Sequence, residues 1–420
     1  LPNSTCFIQS SKSVGRYTLS KEVIIQPKTV LYLISQPLDQ RNFDRFGIRI
    51  WREKGWHVDI IDLTPLLYPK VWDSYVKDGK RVIADDNYFQ ITKKSALDDI
   101  LSKRTYVLYI DLVQNQMSYY LHLKLKLLKA GTLCLRLMMG SMPLPKVSAV
   151  DLKSLNGTLF YKFKYAVSFL TKYGIYRLYS LRFNQFQQQL FIATSGKHSF
   201  ESAVNMIPRN NIIKVHNFDY DRFLEEGLDA PNSDRYIVFL DEDMPYHSDF
   251  IYLNTKSPVS HELYFNSLNN FLQAASKEIS RGIKIAAHPR SNYINERADS
   301  FRKSQVFKNQ TVNLVKDCAA VICHASASIQ LAVIYKKPVV FVTTDELENS
   351  SYREYIDVFA RSLGKIPVNI DRGLSAIDWK KELTVNKALY TQYMANYIKH
   401  PATPEMPAME IIANFFEEKL

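Results

Sequence analysis

The sequence predicts an α/β protein built as two Rossmann-like, doubly wound domains facing one another across a cleft. Three observations carry this. Short, continuous apolar runs recur, each of the length of a strand buried on both faces. Helical patterns separate them, giving the βαβ alternation of a parallel sheet. The alternation occurs twice, and 420 residues with 46% hydrophobic content suffice for two cores.

Thr29–Ile34 is a β-rich run that ends at the turn Ser35-Gln36-Pro37. A helical stretch from Phe43 to Lys54 follows, then Gly55 and a strand at His57–Ile61. Tyr106–Ile110 and Thr132–Leu137 are the next strands. Ile212–His216 and Asn217–Phe223 lead to the polar stretch Ala230–Asp234, which reads as a linker. In the second half, Tyr236–Leu240, Ile283–Ala287, Ala319–Cys323 and Pro338–Val342 are strands. His261–Ile279 is a helix, with Leu263, Phe265, Leu268, Phe271 and Leu272 near helical spacing. The expected domains are residues 1–230 and 231–383. A helical segment, 384–420, is expected to cross back onto the first.

The formal net charge is +12, which favours phosphate-rich partners. Basic residues thicken between about 120 and 190, interleaved with aromatics as in Leu159–Tyr165. That pattern fits Lys stems lying over a core or a surface that docks on an anionic membrane. No recognition motif accompanies the charge, so nucleic acid is not an expected partner. Cys6, Cys134, Cys318 and Cys323 form no Cys-x-x-Cys pair, which is the usage of a reducing compartment. The Asn-x-Thr triplets at Asn156 and Asn309 occur at chance frequency. No apolar run reaches the ~18–20 residues of a membrane span, and no signal-peptide pattern is present. The expected place is the cytoplasm, peripheral to the inner membrane.

Ligands of doubly wound sheets bind beyond the carboxyl ends of the strands. After Ile283–Ala287 comes His288-Pro289-Arg290, where Pro289 stiffens the turn that aims a His and an Arg suited to phosphate. After Ala319–Cys323 comes His324-Ala325-Ser326-Ala327-Ser328, where hydroxyls and N–H groups at a helix start suit an anion. After Tyr236–Leu240 comes Asp241-Glu242-Asp243, placed for base or nucleophile work. Asp-x-Asp also suits a divalent cation, but no further ligand set accompanies it, so no metal is expected. In the first domain Gln36, Asp39, Arg41, Asp62, Asp111, Gln114 and Ser141 follow strands and are acceptor-side candidates. The aromatic stretch Thr64–Trp72 reads as a lid, an acceptor wall or a surface Ω-loop.

The stretch Val315–Phe341 resembles the strand, nucleotide-binding helix and next strand of GT-B fold glycosyltransferases. Val215–Phe223 resembles their inter-domain segment. A His-Pro motif followed by a Ser-rich helix start is similar to bacterial transferases that use CMP-activated acidic sugars. These include the sialyltransferases and the Kdo transferases of capsule and O-antigen assembly. The resemblance implies that His288, Ser326 and Ser328 hold the CMP phosphate, with Pro289, Arg290 and His324 beside them. Asp241-Glu242-Asp243 looks like the retaining β-Kdo transferases, which implies a catalytic carboxylate at Asp241 or Asp243. One departure is that Ser328-Ile329-Gln330-Leu331 lacks the carboxylate found there in enzymes for neutral sugars. A carboxylate would repel an acidic sugar, so its absence favours one.

The activity implied is transfer of Kdo from its CMP donor to a lipid-linked oligosaccharide or polysaccharide, with no cofactor, in lipopolysaccharide assembly. The rivals are a sialyltransferase and an NDP-hexose transferase. A rival of another class is a non-catalytic module binding glycans or a membrane.

Overall fold

The computed structural model describes residues 28–77, 83–113, 118–145, 182–227, 236–247, 250, 255–293, 297–302, 304–373 and 377–420. Cys6, Gln114, Asn156, the Leu159–Tyr165 stretch and the linker Ala230–Asp234 lie outside these residues.

The first sheet contains β1 (Thr29–Ile34), β2 (His57–Asp62), β3 (Tyr88–Gln90), β4 (Leu108–Leu112), β5 (Leu133–Met138), β6 (Leu190–Ser195) and β7 (Ile212–Val215). Their order is β3-β2-β1-β4-β5-β6-β7, and every pairing is parallel. Side chains alternate between faces along a strand. In β1, Val30, Tyr32 and Ile34 enter one core, while Leu31 and Leu33 enter the core on the opposite face. Burial on both faces is why the strand reads as an unbroken apolar run.

The second sheet contains β8 (Tyr236–Leu240), β9 (Gly282–Ala287), β10 (Gln305–Lys308), β11 (Ala320–Cys323), β12 (Val339–Thr343) and β13 (Val368–Asn369). Its order is β10-β9-β8-β11-β12-β13, again parallel throughout. Val238, Leu240, Val321 and Phe341 pack on one face, and Ile237, Phe239, Ile322 and Val342 on the other. In both sheets strand order reverses beside the first strand, which opens the crevice where ligands of this architecture bind. The helix His261–Ile279 lies where its spacing places it.

Some expectations shift. The strand read at Tyr106–Ile110 occupies Leu108–Leu112. The Thr64–Trp72 stretch is not an Ω-loop. It forms the helices Thr64–Leu67 and Pro69–Lys77, with Pro65 and Pro69 in first turns, where a missing N–H costs nothing.

The segment after Thr384 is helical in pieces. Helix Lys387–Tyr393 runs into a π-turn to Ile398, and helix Ala408–Lys419 follows. Pro401, Pro404 and Pro407 interrupt the stretch between them. Tyr390, Tyr393 and Ile398 belong to a core of the second domain, whereas Ala408, Met409, Ile412 and Phe416 belong to the first. Phe416 packs edge-on to Phe191 at 5.2 Å.

Gly196 lets this segment approach. Its φ is +72°, and a Cβ there would stand 2.5 Å from the Asn396 carbonyl oxygen. Gly196→Ala is therefore expected to lower stability by about 2 kcal/mol or more, measured as an earlier urea midpoint.

Gln330 fastens the two domains. Its Nε2 donates to the Ser141 carbonyl at 3.0 Å, and its Oε1 accepts from Asn217 Nδ2. The Asn217 N–H donates to the Ile398 carbonyl at 2.9 Å.

Candidate active site

β8 lies between β9 and β11, so the loops after these three strands meet at the carboxyl end of the second sheet. Asp241 directly follows β8 and is buried. Its Oδ2 accepts the His288 N–H at 3.0 Å, and its Oδ1 accepts the Asp243 N–H and the Tyr293 hydroxyl, both at 3.0 Å. The acidic loop and the His-Pro turn are thus one hydrogen-bonded unit. Burial pushes the Asp241 carboxyl up to about 7, with the Asp243 charge adding to the shift and the donated hydrogen bonds opposing it.

Asp243 adopts a left-handed conformation, φ +49°. Non-glycine residues reach that region at a cost that active-site loops commonly carry. Arg297 grips its carboxylate with two nitrogens, at 2.8 and 3.3 Å. The Tyr293 hydroxyl also lies 3.2 Å from Asp243 Oδ1. It has one proton for two acceptors, so at any moment it serves Asp241 or Asp243.

The Arg290 N–H donates to His288 Nδ1 at 3.3 Å, so Nδ1 is the acceptor and Nε2 carries the ring proton. His288 is thereby a neutral imidazole with an N–H donor. Burial lowers its pKa to about 3, and His247, Arg290, Arg41 and Lys308 push in the same direction. The His247 ring lies 4.8 Å away. Lys308 pairs in register with Ala287, which places it beside the His-Pro turn, and its Nζ donates to the Ser291 carbonyl at 2.8 Å. Arg41 comes from the first domain. Positive charge from three chain segments and both domains converges on one neutral donor, which is an arrangement suited to an anion.

In the second domain two site candidates are corrected. Glu242 does not present a free carboxylate. Its Oε1 accepts the N–H groups of His324 and Ala325 at 3.2 and 2.9 Å, and its Oε2 accepts the Tyr352 hydroxyl at 2.6 Å. It is the clasp joining the loop after β8 to the loop after β11. His324 is fully buried and faces the core. Its Nδ1 donates to the Val342 carbonyl at 2.7 Å, and its Nε2 accepts the Tyr264 hydroxyl at 2.9 Å. Both ring nitrogens are used, so the ring is a strut and not a phosphate ligand. Glu242→Ala strands two buried N–H groups and a hydroxyl and is expected to cost about 2–3 kcal/mol, read from thermal or urea unfolding.

The Ser-rich start also differs in detail. Helix Ile329–Ile334 has six residues. The N–H groups of Ile329, Gln330 and Leu331 donate to the carbonyls of Ser326, Ala327 and Ser328, and the Ser328 N–H lies 3.3 Å from Ser326 Oγ. The backbone donors counted on for an anion are largely spent inside the turn, which leaves the Ser326 and Ser328 hydroxyls as the groups to offer. Pro289 and Arg290 stand in the turn after β9, with Arg290 exposed.

In the first domain Asp39 caps helix Gln40–Arg45 by accepting the Asn42 N–H at 2.8 Å. Asp111 is buried and held by Lys124 at 2.6 Å, by Tyr120 and by the Val113 N–H, so its carboxylate is structural and not an acceptor contact. Asp62 is likewise enclosed by Thr64 and Tyr88. Gln36 is half-buried behind β1.

Tyr293, Arg297 and Lys308 escaped the sequence reading, while His247 stood in it only as a histidine within reach of the acidic loop. Their signal was present: Tyr293 and Arg297 stand in the same loop as His288-Pro289, and Lys308 ends a strand.

Among the described residues no group of three or more His, Cys, Asp or Glu side chains could hold a metal ion. No helix among them is long and apolar enough to cross a membrane. Cys134, Cys318 and Cys323 are buried.

No protein-family model and no curated protein matches the chain in sequence. Solved structures match in shape. The wall teichoic acid polymerase TagF is 11% identical with a TM-score of 0.50, covering 94% of this chain and 90% of its own. MurG of Acinetobacter baumannii is 8% identical, with coverage of 93% and 100% and a TM-score of 0.43. UDP-GlcNAc 2-epimerase of Neisseria meningitidis, bound to UDP-GlcNAc, is 13% identical, with coverage of 93% and 98% and a TM-score of 0.48. The likeness to TagF establishes the fold: two Rossmann-like domains of the GT-B type.

Proposed function

We propose that this GT-B fold protein is a glycosyltransferase that moves a 2-keto acid sugar, Kdo, from its CMP donor to a lipid-linked surface glycan. The observation that carries the reading is a neutral His288 ringed by Arg41, Arg290, Lys308 and His247, one hydrogen bond from the buried carboxylate of Asp241. A CMP-activated keto acid brings two anions, a phosphate and a carboxylate, and this site offers several cations. Gln330 supports the same donor, because a neutral amide engaged with Ser141 and Asn217 puts no negative charge beside the sugar.

In this reading Asp241 is the catalytic residue. An ionised Asp241 oxygen attacks the anomeric carbon of the sugar while the bond from that carbon to the phosphate oxygen breaks. The electron pair goes to CMP. His288 Nε2–H, the Ser326 and Ser328 hydroxyls and the converging cations stabilise the charge that develops there. The acceptor hydroxyl oxygen then displaces Asp241, its proton passing to the CMP phosphate, and configuration is retained overall. Asp243 and Arg297 hold the loop. The lipid-linked acceptor would be met at an anionic membrane surface.

The test is a donor screen with product detection, using CMP-Kdo, CMP-sialic acid and the UDP-hexoses with a lipid-linked glycan acceptor. The expected result is turnover with CMP-Kdo. Turnover with a UDP-hexose and none with either CMP sugar overturns the reading. Retained function in His288→Ala would return the protein to the class of binding modules.

A further inference from the structure

A cavity of about 430 Å³ lies beside the proposed catalytic loop. Its walls are Tyr246 from the loop after β8, the first turns of helix His261–Ile279, and residues 297–302 from the loop after β9. It therefore opens on the carboxyl-end face of the second sheet. Arg297 belongs to both places: it lines the cavity and grips Asp243 at 2.8 Å.

Two buried polar atoms of the cavity-lining residues, Arg297 Nε and Ser300 Oγ, have no hydrogen-bond partner among the described residues. Ser300 is 5% exposed. Orphaned groups of this kind are uncommon in folded proteins and call for a ligand or water that completes them. The remaining wall mixes donors, acceptors and ring surface. Arg297 lies over the Tyr246 ring at 4.2 Å, and the Tyr246 hydroxyl meets His261 Nδ1 at 3.1 Å. Arg302 spends two nitrogens on the amide oxygens of Asn270 and Asn266, at 3.2 and 2.7 Å. No carboxylate among the described residues pairs with it. Glu262 and Asp299 line the same cavity. The Arg297 charge is already balanced by Asp243, and Glu262 and Asp299 stand on the same wall as Arg302, so the cavity has no surplus of positive charge for an anion.

We propose that this cavity is a sugar subsite that holds one neutral pyranose residue of the glycan acceptor. Each hydroxyl of such a ring donates and accepts, which suits a wall holding both carboxylates and unpaired donors. The ring's apolar face suits Tyr246, and the volume lies within the range of small-ligand pockets. The inference rests on the glycosyl-transfer reading, because it is that reading that makes a glycan the second substrate.

The experiment uses saturation-transfer-difference NMR on the full chain. The probes are the methyl glycosides of glucose, galactose, mannose and N-acetylglucosamine, with methyl glucuronide as the charged comparison. At least one neutral glycoside is expected to bind more strongly than the glucuronide. Asn266→Trp, at an exposed position on the wall, is expected to fill the cavity and lower that signal at least fivefold. Arg302→Ala, also exposed, is expected to weaken it without disturbing the fold. Silence from all neutral glycosides overturns the proposal, as does stronger binding of the glucuronide or an unchanged signal in Asn266→Trp. A CMP titration of the same samples by calorimetry reads the donor site separately. CMP binding without sugar binding removes the subsite alone. Sugar binding without CMP binding removes the donor reading and leaves a carbohydrate site.

Discussion

Asp241→Asn is expected to reduce kcat roughly 10⁴-fold in a donor-turnover assay. An amide can neither form a glycosyl ester nor take a proton. The variant also carries a structural penalty that must be separated from the chemical one. With Oδ1 kept for the Asp243 N–H and the Tyr293 hydroxyl, the amide nitrogen faces the His288 N–H, donor against donor. That conflict costs about 1–3 kcal/mol and shows in the unfolding curve.

The pH profile separates the two effects. Wild-type kcat is expected to rise with pH through about 7 as the buried carboxyl ionises, and the variant's residual rate is expected to be flat there. The stability sign is opposite. The folded-state pKa is raised above the ordinary carboxylate value of about 3.9, so the neutral form's contribution is complete below that value. It is lost as pH climbs through about 7. Ionisation that arms the site therefore weakens the fold. Asp243→Asn, which loosens the Arg297 grip, is expected to cost far less activity. Equal losses in the two variants would overturn the choice of Asp241.

His288→Ala is expected to lower kcat/KM by about 10²–10³, with the fold retained. The ring's N–H donor and the Nδ1 acceptor of the exposed Arg290 N–H are removed, and the backbone N–H that anchors Asp241 remains. His288→Gln, which returns an N–H donor, is expected to recover part of the loss. A cationic imidazole is not required, since burial, with neighbouring positive charge adding to it, holds the pKa near 3. CMP affinity is therefore expected to show no His288 titration between pH 5 and 8, measured by calorimetry. For stability the folded pKa lies below the unfolded one. The contribution is full above about 6.5 and is lost as pH falls toward 3. A CMP affinity that strengthens on acidification through pH 6 would show a protonated His288 instead.

Much of the fold could be read from the chain because its strands are buried on both faces. β1, β8 and the helix His261–Ile279 stand where their apolar spacing places them. β3, β10 and β13 did not signal themselves. They are edge or near-edge strands of two to four residues, partly exposed, so they carry no apolar run. β6 is buried, but Gln187, Gln188 and Gln189 lead into it and mask its start. At the site, position was legible and direction was not. Glu242 and His324 follow strands as expected, yet their side chains turn inward to clasp loops. Nothing in one sequence tells whether a polar side chain at a strand end faces ligand or neighbour. The cations around His288 come from separate segments that only the sheet order brings together.

The helix Ala408–Lys419 has a consequence for synthesis. It completes the core around Trp51 and Phe191, yet it is translated after the whole second sheet. At roughly 5–20 residues per second, the ribosome needs on the order of ten seconds or more to pass from β7 to that helix. During that interval the amino-terminal half waits with an apolar groove uncovered, while the later sheet has all its strands. Both cores are closed by the same late segment, but the first half waits longest, and it is the stretch on which a chaperone would act.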